Sequence, residues 1–193
     1  TSNVGGAVVM NVSEDHSGVN GIDSVADLAL AKFTVQQAVR PGGHNVVNLD
    51  DELSHSFIDD LPRSKAFFSQ HLAESELLNH LKDPEDYACF VQDGAFYVYR
   101  HGEKQHIAAI DDVDLTYKGL AKHNIENVLA AICLSLELGR SYAEITAGLL
   151  AFKNDENNQG RFNLFDVKGS KILVDYGHNL ASVDNMLKFA RSI

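Results

Sequence analysis

The sequence predicts an α/β fold with a mostly parallel sheet and a small antiparallel insertion, and two patterns support this prediction. The apolar residues 8–10 are followed by a polar segment, an amphipathic helix and a second apolar run at residues 46–47. Strand, helix and strand in this order are typical of a parallel βαβ unit. After residue 86, closely spaced apolar runs and turns predict a small antiparallel β insertion.

The composition indicates an acidic protein with a packed core. Its 193 residues are 45% hydrophobic, and 16 basic against 27 acidic residues give a net charge of −11, which disfavours nucleic acids and anionic membranes as partners. No apolar run approaches the ~20 residues of a membrane helix, and the first residues do not resemble a signal peptide. Cys89 and Cys133 lie in apolar runs without a C-x-x-C motif, which indicates buried thiols in a reducing compartment. We therefore expect a soluble, cytoplasmic protein.

The first helix and the polar clusters around it form a candidate site. Ser24 and Asp27 resemble a capping box, and apolar residues at helical spacing predict a helix that carries Lys32 and ends at residues 41–43, Pro-Gly-Gly. The clusters at residues 11–16 and 48–51 follow strands, so we expect them at the carboxyl edge of the sheet, where α/β proteins bind ligands. For Asp50 and Asp51, a turn at the strand exit is preferred over a place in the cleft.

The second half of the chain predicts a meander, two helices and the start of another domain. Residues 87–91, 96–99 and 107–110 read as antiparallel strands. A helix is expected over residues 123–138, and Ser141 with Glu144 caps another that reaches residue 152. A polar linker over residues 154–160 precedes strands at 164–167 and 172–175 and a helix at 183–190. A second, incomplete domain is therefore expected to begin near Arg161.

Six motifs in order resemble the Mur ligase superfamily over nearly the whole chain. They are N-V-S-E-D-H at 11–16, Lys32, N-L-D-D at 48–51, H-N-I-E-N at 123–127, G-R-F-N at 160–163 and D-Y-G-H-N at 175–179. The residues in these motifs are most similar to those of the Mur-ligase-like half of the cyanophycin synthetases. The resemblance implies that residues 1–159 are the C-terminal portion of a central ATP-binding domain. Residues 160–193 would then begin a Rossmann-like C-terminal domain.

The resemblance implies ATP-dependent amide formation through an acyl phosphate, with ATP and Mg²⁺ as cofactors. Cations stabilise the charge that develops in such a transfer. His16 and Lys32 match catalytic, metal-binding positions of the family. Imidazole is an unusual ligand for magnesium, so the role of His16 rests on the resemblance. Lys32 matches a lysine that is carbamylated and so becomes a carboxylate, and the alternative is an ordinary surface lysine.

Five further residues match nucleotide-binding positions of the family. Asn124 and Asn127 share a helix face and match asparagines that meet adenine, although Asn124 is also suited to capping the helix. Arg161 matches an arginine that contacts the nucleotide, and a hinge salt bridge is the alternative. Asp175 matches an aspartate near the ribose, and His178 is expected to reach across the interdomain cleft. The six other histidines show no metal-binding spacing and are interpreted as surface or loop residues: His44, His55, His71, His80, His101 and His106.

The resemblance implies a ligase that joins aspartate and arginine into cyanophycin, with arginine added to an aspartate side chain. ATP and amino-acid or peptide substrates are then the partners, and the sequence leaves a homo-oligomer open. The phosphate-loop motif G-x-x-x-x-G-K-[S/T] does not occur, so the chain is expected to be an inactive fragment of the ligase. The alternatives are a peptidoglycan-precursor or folylpolyglutamate ligase and a non-catalytic nucleotide-binding scaffold.

Overall fold

The computed structural model of the protein describes residues 3–12 and 23–193, and its main feature there is a six-stranded sheet in the order β1-β2-β3-β4-β5-β6. The first four strands are parallel, and the last two continue the sheet in antiparallel fashion. The strands are β1 (Val4–Val9), β2 (Val39–Asn48), β3 (Ser64–Ser69), β4 (Tyr87–Gln92), β5 (Ala95–Arg100) and β6 (Glu103–Ala109). The α/β fold class is confirmed, and the meander formed by β4, β5 and β6 extends the parallel sheet.

Helices cover both faces of this sheet. One face packs against the two helices within residues 122–151, and the other against the three helices within residues 25–78. A β-hairpin and the last helix follow at the C-terminal end. The remaining elements are α1 (Val25–Phe33), α2 (Glu52–His55), α3 (Glu74–Leu78), α4 (Lys122–Glu137), α5 (Tyr142–Ala151), α6 (Asn154–Asn157), β7 (Asn163–Val167), β8 (Ser170–Val174) and α7 (Leu180–Ala190).

The helix ends form largely where local chemistry predicts them. Ser24 accepts a hydrogen bond from the backbone N–H of Asp27 at 3.1 Å and so caps α1. Ser141 and Glu144 form the predicted reciprocal capping box of α5. The long helix α4 lies within one residue of its predicted bounds at each end, whereas α7 begins at Leu180, three residues earlier than predicted.

The prediction that the first helix runs to Pro41 is wrong. Helix α1 ends at Phe33, a 3-10 turn follows, and β2 begins at Val39, so residues 41–43 lie inside a strand. Gly42 has a φ of 79°, and the pairing of β1 with β2 shifts register next to this point. Gly43 lies directly against the carbonyl of Gly5. Glycines here permit a bulge and a close approach of two backbones, which the sequence pattern alone does not distinguish from a helix stop.

The sequence pattern predicts no element between residues 52 and 86, yet the structure places β3 there, flanked by α2 and α3. Its apolar part is only Ala66, Phe67 and Phe68, which are fully buried at the centre of the sheet. A run this short does not reveal its secondary structure by periodicity, because it contains less than one full helical turn. Pairing with β2 and β4 therefore determines the strand.

The interpretation of His44 as a surface or loop residue is wrong. It lies in β2 with only 4% of its surface exposed. Its Nδ1 is 2.9 Å from Oε1 of Glu137 at the end of α4, and its Nε2 is 2.9 Å from the backbone carbonyl of Glu85. Cys89 and Cys133 are free, buried thiols, as predicted. No helix among the described residues is long and apolar enough to cross a membrane.

Residues 154–160 are more than the polar linker expected from the sequence. They contain the short helix α6, and Asn154 is almost completely buried. Its Nδ2 donates to the hydroxyl of Tyr117 at 2.9 Å and to the carbonyl of Phe162 at 2.8 Å. Phe162 packs with Phe189 of α7 in a small apolar cluster. This segment thus fastens the hairpin and α7 to the main sheet, while the domain division at residue 160 stays a prediction.

Candidate functional site

A cavity of about 370 Å³, the junction cavity, lies where α4, the segment after α6, the end of β8 and α7 meet. Four of the predicted site residues line it together: Asn124, Asn127, Arg161 and Asp175. Small-molecule sites in proteins are typically about 300–1,000 Å³, so this cavity is large enough for a base and its sugar. The other lining residues are His123, Asn158, Phe162, Ser182 and Asn185.

Two asparagines on α4 form a relay with a fixed orientation. Asn124 Nδ2 donates to the backbone carbonyl of Leu115 at 2.9 Å, and Asn127 Nδ2 donates to Oδ1 of Asn124 at 3.1 Å. Because a backbone carbonyl only accepts, the Asn124 amide cannot be reversed, and this fixes the Asn127 amide in turn. The N-cap of α4 is Ala121, so the alternative that Asn124 caps the helix is wrong.

The orientation of the relay leaves Oδ1 of Asn127 available to a ligand. This oxygen accepts hydrogen bonds only, so it calls for a donor such as an amino group. Asn124, by contrast, is buried and has both ends of its amide committed to the protein. The two asparagines therefore differ in role, with Asn124 holding Asn127 in place.

Asp175 and Arg161 lie on the C-terminal side of the cavity. One carboxylate oxygen of Asp175 accepts from the backbone N–H of Phe162 at 2.8 Å and the other from that of Gly177 at 2.7 Å. The guanidinium of Arg161 lies over the ring of Tyr176, 4.6 Å from its centroid. Among the described residues the salt bridges include none to Arg161, so the hinge salt bridge considered for it is not formed. Its charge is available for an anionic group.

An aromatic wall completes the cavity, and the sequence analysis did not single it out. The rings of His123 and Phe162 meet edge to face with centroids 4.3 Å apart. Burial lowers the pKa of His123 from 6.5 and outweighs the opposite influence of Asp175, so the imidazole is mostly neutral at pH 7. Both residues stand inside the motifs H-N-I-E-N and G-R-F-N, which was the available signal. Ser182 and Asn185 lie on α7 outside any motif.

His178 is not among the residues that line the cavity. Its ring is exposed and packs edge to face on Tyr176 with centroids 5.2 Å apart. It therefore lies near the mouth of the site, one residue beyond the tyrosine that supports Arg161. Its expected reach across the cleft stays a prediction.

Lys32 lies in the last turn of α1, and its ammonium reaches the end of β1 at the carboxyl edge of the sheet. Its Nζ donates to the backbone carbonyl of Asn11 at 3.2 Å. Nearby, Asn48 at the end of β2 donates to the carbonyl of Met10 at 2.7 Å, which places both strand exits side by side. His16 lies outside the described residues, so its expected position beside Lys32 stays a prediction.

The described part of the chain contains no cluster of three or more histidine, cysteine, aspartate or glutamate side chains that would hold a metal ion. An unmodified ammonium repels a cation, so Lys32 fits a metal only as a carbamate. The residues present at the end of β1 thus do not by themselves make a magnesium site.

Acidic residues connect the strand exits to α4. Asp50 accepts from the Ser69 hydroxyl at 2.6 Å and from the Gln70 backbone N–H at 2.7 Å, and Asp51 caps α2. These contacts confirm the turn interpretation of both aspartates. Gln70 also donates to Oε1 of Glu126 at 2.9 Å, and burial raises the pKa of Glu126, with Asp50 adding to the effect. This chain of contacts ends beside Asn127.

Comparison with known proteins supports the resemblance. The chain is 32% identical over 193 residues to the cyanophycin synthetase of Nostoc sp. (strain PCC 7120 / SAG 25.82 / UTEX 2576), which covers 100% of this chain and 21% of that protein. It is 30% identical over 175 residues to the cyanophycin synthetase of Geminocystis herdmanii (strain PCC 6308), covering 90% and 20%. The chain therefore spans about one fifth of the length of these curated relatives.

The fold has counterparts among solved structures. The crystal structure of MurF from Acinetobacter baumannii matches with a TM-score of 0.67 and 17% sequence identity, covering 97% of this chain and 37% of MurF. At this identity the likeness shows the fold alone. The Mur ligase middle domain matches residues 2–135, which is more than half of the chain. From this match, and from the motifs gathered at the junction cavity, we conclude that the chain belongs to the Mur ligase family.

Proposed function

We propose that this chain supplies the nucleotide-binding part of an ATP-dependent ligase that forms an amide bond between an amino acid and a carboxylate. The observation that carries the proposal is the junction cavity, which gathers Asn124, Asn127, Arg161 and Asp175 from separate elements. Amide groups suit the edge of a base, and a guanidinium suits phosphate oxygens. The cavity thus offers the two kinds of contact that a nucleotide needs.

The finer proposal concerns the substrates. The relatives at 30–32% identity are cyanophycin synthetases, which supports arginine and an aspartate polymer as substrates of this chain's ligase as well. The net charge of −11 is compatible with a cationic amino acid. We further propose that residues 1–159 belong to the central domain and residues 160–193 to the C-terminal domain, and that the ligase works in the cytoplasm.

ATP, when bound, would supply the phosphoryl group that activates a carboxylate as an acyl phosphate. The residues of this chain would bind and orient the nucleotide. Asn127 presents a fixed acceptor to the base, while His123 and Phe162 exclude water on one side of it. Arg161 would contact phosphate oxygens. Asp175, fastened by two backbone N–H groups, keeps lone pairs that accept from ribose hydroxyls.

The proposal includes a magnesium ion that His16 and Lys32 would bind. The carbamate of Lys32 would provide oxygen ligands of the kind that Mg²⁺ prefers. Because the described residues do not form a metal cluster, no step of the reaction is assigned to the ion here. In the complete ligase, His16→Ala should lower turnover more than it lowers the melting temperature, and an equal loss of both would make this histidine structural.

The proposal is tested by binding ATP to the 193-residue chain. We expect ATP to shift the amide signals of the cavity residues in a two-dimensional NMR titration. Asn127→Ala and Arg161→Ala should each weaken binding at least about fivefold, because each removes a hydrogen bond or a charge contact. Asn79→Ala, an exposed change at the end of α3, is the matched control and should leave binding unchanged. A folded chain that does not bind ATP would contradict the proposal.

A substrate assay tests the finer proposal. In the complete ligase, release of ADP should require both arginine and a peptide with free aspartate side chains. Release that requires a different amino acid and ignores arginine would remove cyanophycin from the proposal and leave the nucleotide site intact.

A further inference from the structure

We propose that Asn185 of α7 reads the edge of the nucleotide base and makes the cavity selective for adenine. The inference rests on the proposed function, because it takes the cavity to be a nucleotide site. Asn185 belongs to none of the six motifs and lines the cavity from α7, whereas Asn124 and Asn127 line it from α4.

The neighbouring amides donate to the protein itself. Asn124 donates to Leu115, and Asn127 donates to Asn124. Asn158 donates to Oδ1 of Asn154 at 3.0 Å. The hydroxyl of Ser182 is also committed, because it donates to the carbonyl of Asn179 and accepts from its N–H at the start of α7. These contacts engage one N–H of each neighbouring amide, while the guanidinium of Arg161 can still donate into the cavity.

Asn185 differs from these residues. Among the hydrogen bonds of the described residues there is none to its side chain, although it is partly buried in the wall of the cavity. It lies three positions after Ser182, so both face the same side of α7. The fold thus aims an uncommitted amide into the cavity.

The two available groups match adenine and conflict with guanine or hypoxanthine. Adenine presents an amino donor next to ring-nitrogen acceptors. Oδ1 of Asn127 would accept from the 6-amino group of adenine, and Nδ2 of Asn185 would donate to the neighbouring ring nitrogen N1. Hypoxanthine places a carbonyl and an N–H at these positions, so it would set two acceptors against each other at Asn127. A polar site discriminates strongly when the wrong ligand leaves its groups unpaired.

This arrangement would place one base contact on each side of the junction. Asn127 belongs to α4, which packs on the main sheet, and Asn185 belongs to α7, which follows the C-terminal hairpin. The base would therefore bind both parts of the chain at once. Asn185 would be a specificity-determining residue that touches the nucleotide.

The experiment compares ATP with ITP, which carries hypoxanthine, on the wild-type chain and on Asn185→Asp. The substitution keeps the size of the side chain but replaces its donor with a second acceptor. We expect the wild type to prefer ATP, and the ratio of the ATP and ITP affinities to fall at least about tenfold in Asn185→Asp. Asn185→Leu should weaken ATP without improving ITP. Asn79→Asp, which adds the same charge far from the cavity, should keep the wild-type ratio.

The outcomes separate this inference from the proposed function. If the wild type binds ATP and Asn185→Asp keeps both the affinity and the ATP to ITP ratio, the role of Asn185 is wrong and the nucleotide site stands. If the wild type shows no binding of ATP, the proposed function fails and this inference fails with it. Thermal melts of both Asn185 variants verify that they fold, and the side-chain amide signal of Asn185 in the wild type gives an independent readout of contact with ATP.

Discussion

Removing the charge of Glu137 should destabilise the protein in a way that depends on pH. Glu137 and His44 form an ion pair whose side chains are only 8% and 5% exposed, with 2.9 Å between Oε1 and Nδ1. Among the described residues, His44 Nδ1 has no partner in strict hydrogen-bond geometry, although it lies close to the Glu137 carboxylate. Nε2 of His44 faces the carbonyl of Glu85, which only accepts, and Nδ1 faces the Glu137 carboxylate. Each ring nitrogen therefore has an acceptor beside it, which favours the doubly protonated, charged imidazolium.

The pKa shifts of the pair give the sign of the pH dependence. Burial alone lowers the pKa of His44, but its contacts with Glu137 and the Glu85 carbonyl outweigh burial and raise the pKa above 6.5, against a smaller opposing influence of Arg100. The stabilisation from His44 is therefore complete below pH 6.5 and is lost as the pH rises through the raised value. Burial raises the pKa of Glu137, but contacts with His44 and Tyr87 bring it below 4.5, so its stabilisation is lost as the pH falls through that lowered value.

Both contributions are complete between pH 4.5 and pH 6.5, and the substitution Glu137→Gln should be most costly there. Breaking a buried ion pair from one side costs about 3–5 kcal/mol, because the remaining charge is left uncompensated. At higher pH, His44 loses its proton in the wild type as well, so the difference should shrink. Urea unfolding followed by circular dichroism over a pH series measures this difference.

The exposed pair Lys188–Asp184, at 2.7 Å and with 70% and 53% of its side chains exposed, is the matched control. Asp184→Asn should cost at most about 1 kcal/mol, because water screens an exposed pair. A loss below about 1 kcal/mol for Glu137→Gln, or an equal loss on both sides of pH 6.5, would refute the reasoning.

Two further predictions concern the bulge in β2 and the end of β1. Gly43→Ala should lower the free energy of unfolding by about 1–3 kcal/mol, because a Cβ at this position meets the Gly5 carbonyl. As a control, a Cβ at Gly148 in α5 meets no other atom, so Gly148→Ala should stabilise the protein by about 0.5–1 kcal/mol. Similar melting temperatures for the two variants would contradict the close packing of β1 on β2. When the protein is incubated with labelled bicarbonate, carbon NMR should show a carbamate signal. The signal should disappear in Lys32→Arg and persist in the control Lys65→Arg. A signal that persists in Lys32→Arg would assign the carbamate to another residue.

Local chemistry explains the elements that the sequence predicts well. The caps at Ser24 and Ser141 and the turn between β7 and β8 depend on residues within three or four positions of each other. The long apolar stripe of α4 is equally local. Such signals persist whatever surrounds them, so the sequence alone locates them closely.

The elements that the sequence predicts poorly depend on distant partners. Strand β3 has a short apolar run that becomes a strand through its neighbours β2 and β4. His44 is buried because Glu137, far away in sequence, supplies a counter-charge. The Pro-Gly-Gly segment is a strand because Gly5 packs against it. In each case tertiary contacts override the local pattern.

The candidate site divides in the same way. Asn124, Asn127, Arg161 and Asp175 belong to motifs, and the structure brings all four to one cavity. Asn185 and Ser182 reach the same cavity because α7 packs near the start of α4, where Phe189 clusters with Ala121, and no local pattern indicates this. The distinct roles of Asn124 and Asn127 also needed the structure, since the carbonyl of Leu115 fixes their orientation.

The backbone of Phe162 has a consequence for how the cavity is assembled. Its φ is 54°, a left-handed conformation that is costly for a bulky residue. Asp175 holds its N–H, Tyr117 and Asn154 hold its carbonyl at 2.8 Å each, and its ring stacks edge to face on Phe189. Loss of any one of these contacts should let the backbone of Phe162 relax from this conformation. The left-handed turn and the aromatic wall of the cavity therefore depend on the same contacts, and a change to one should alter the other.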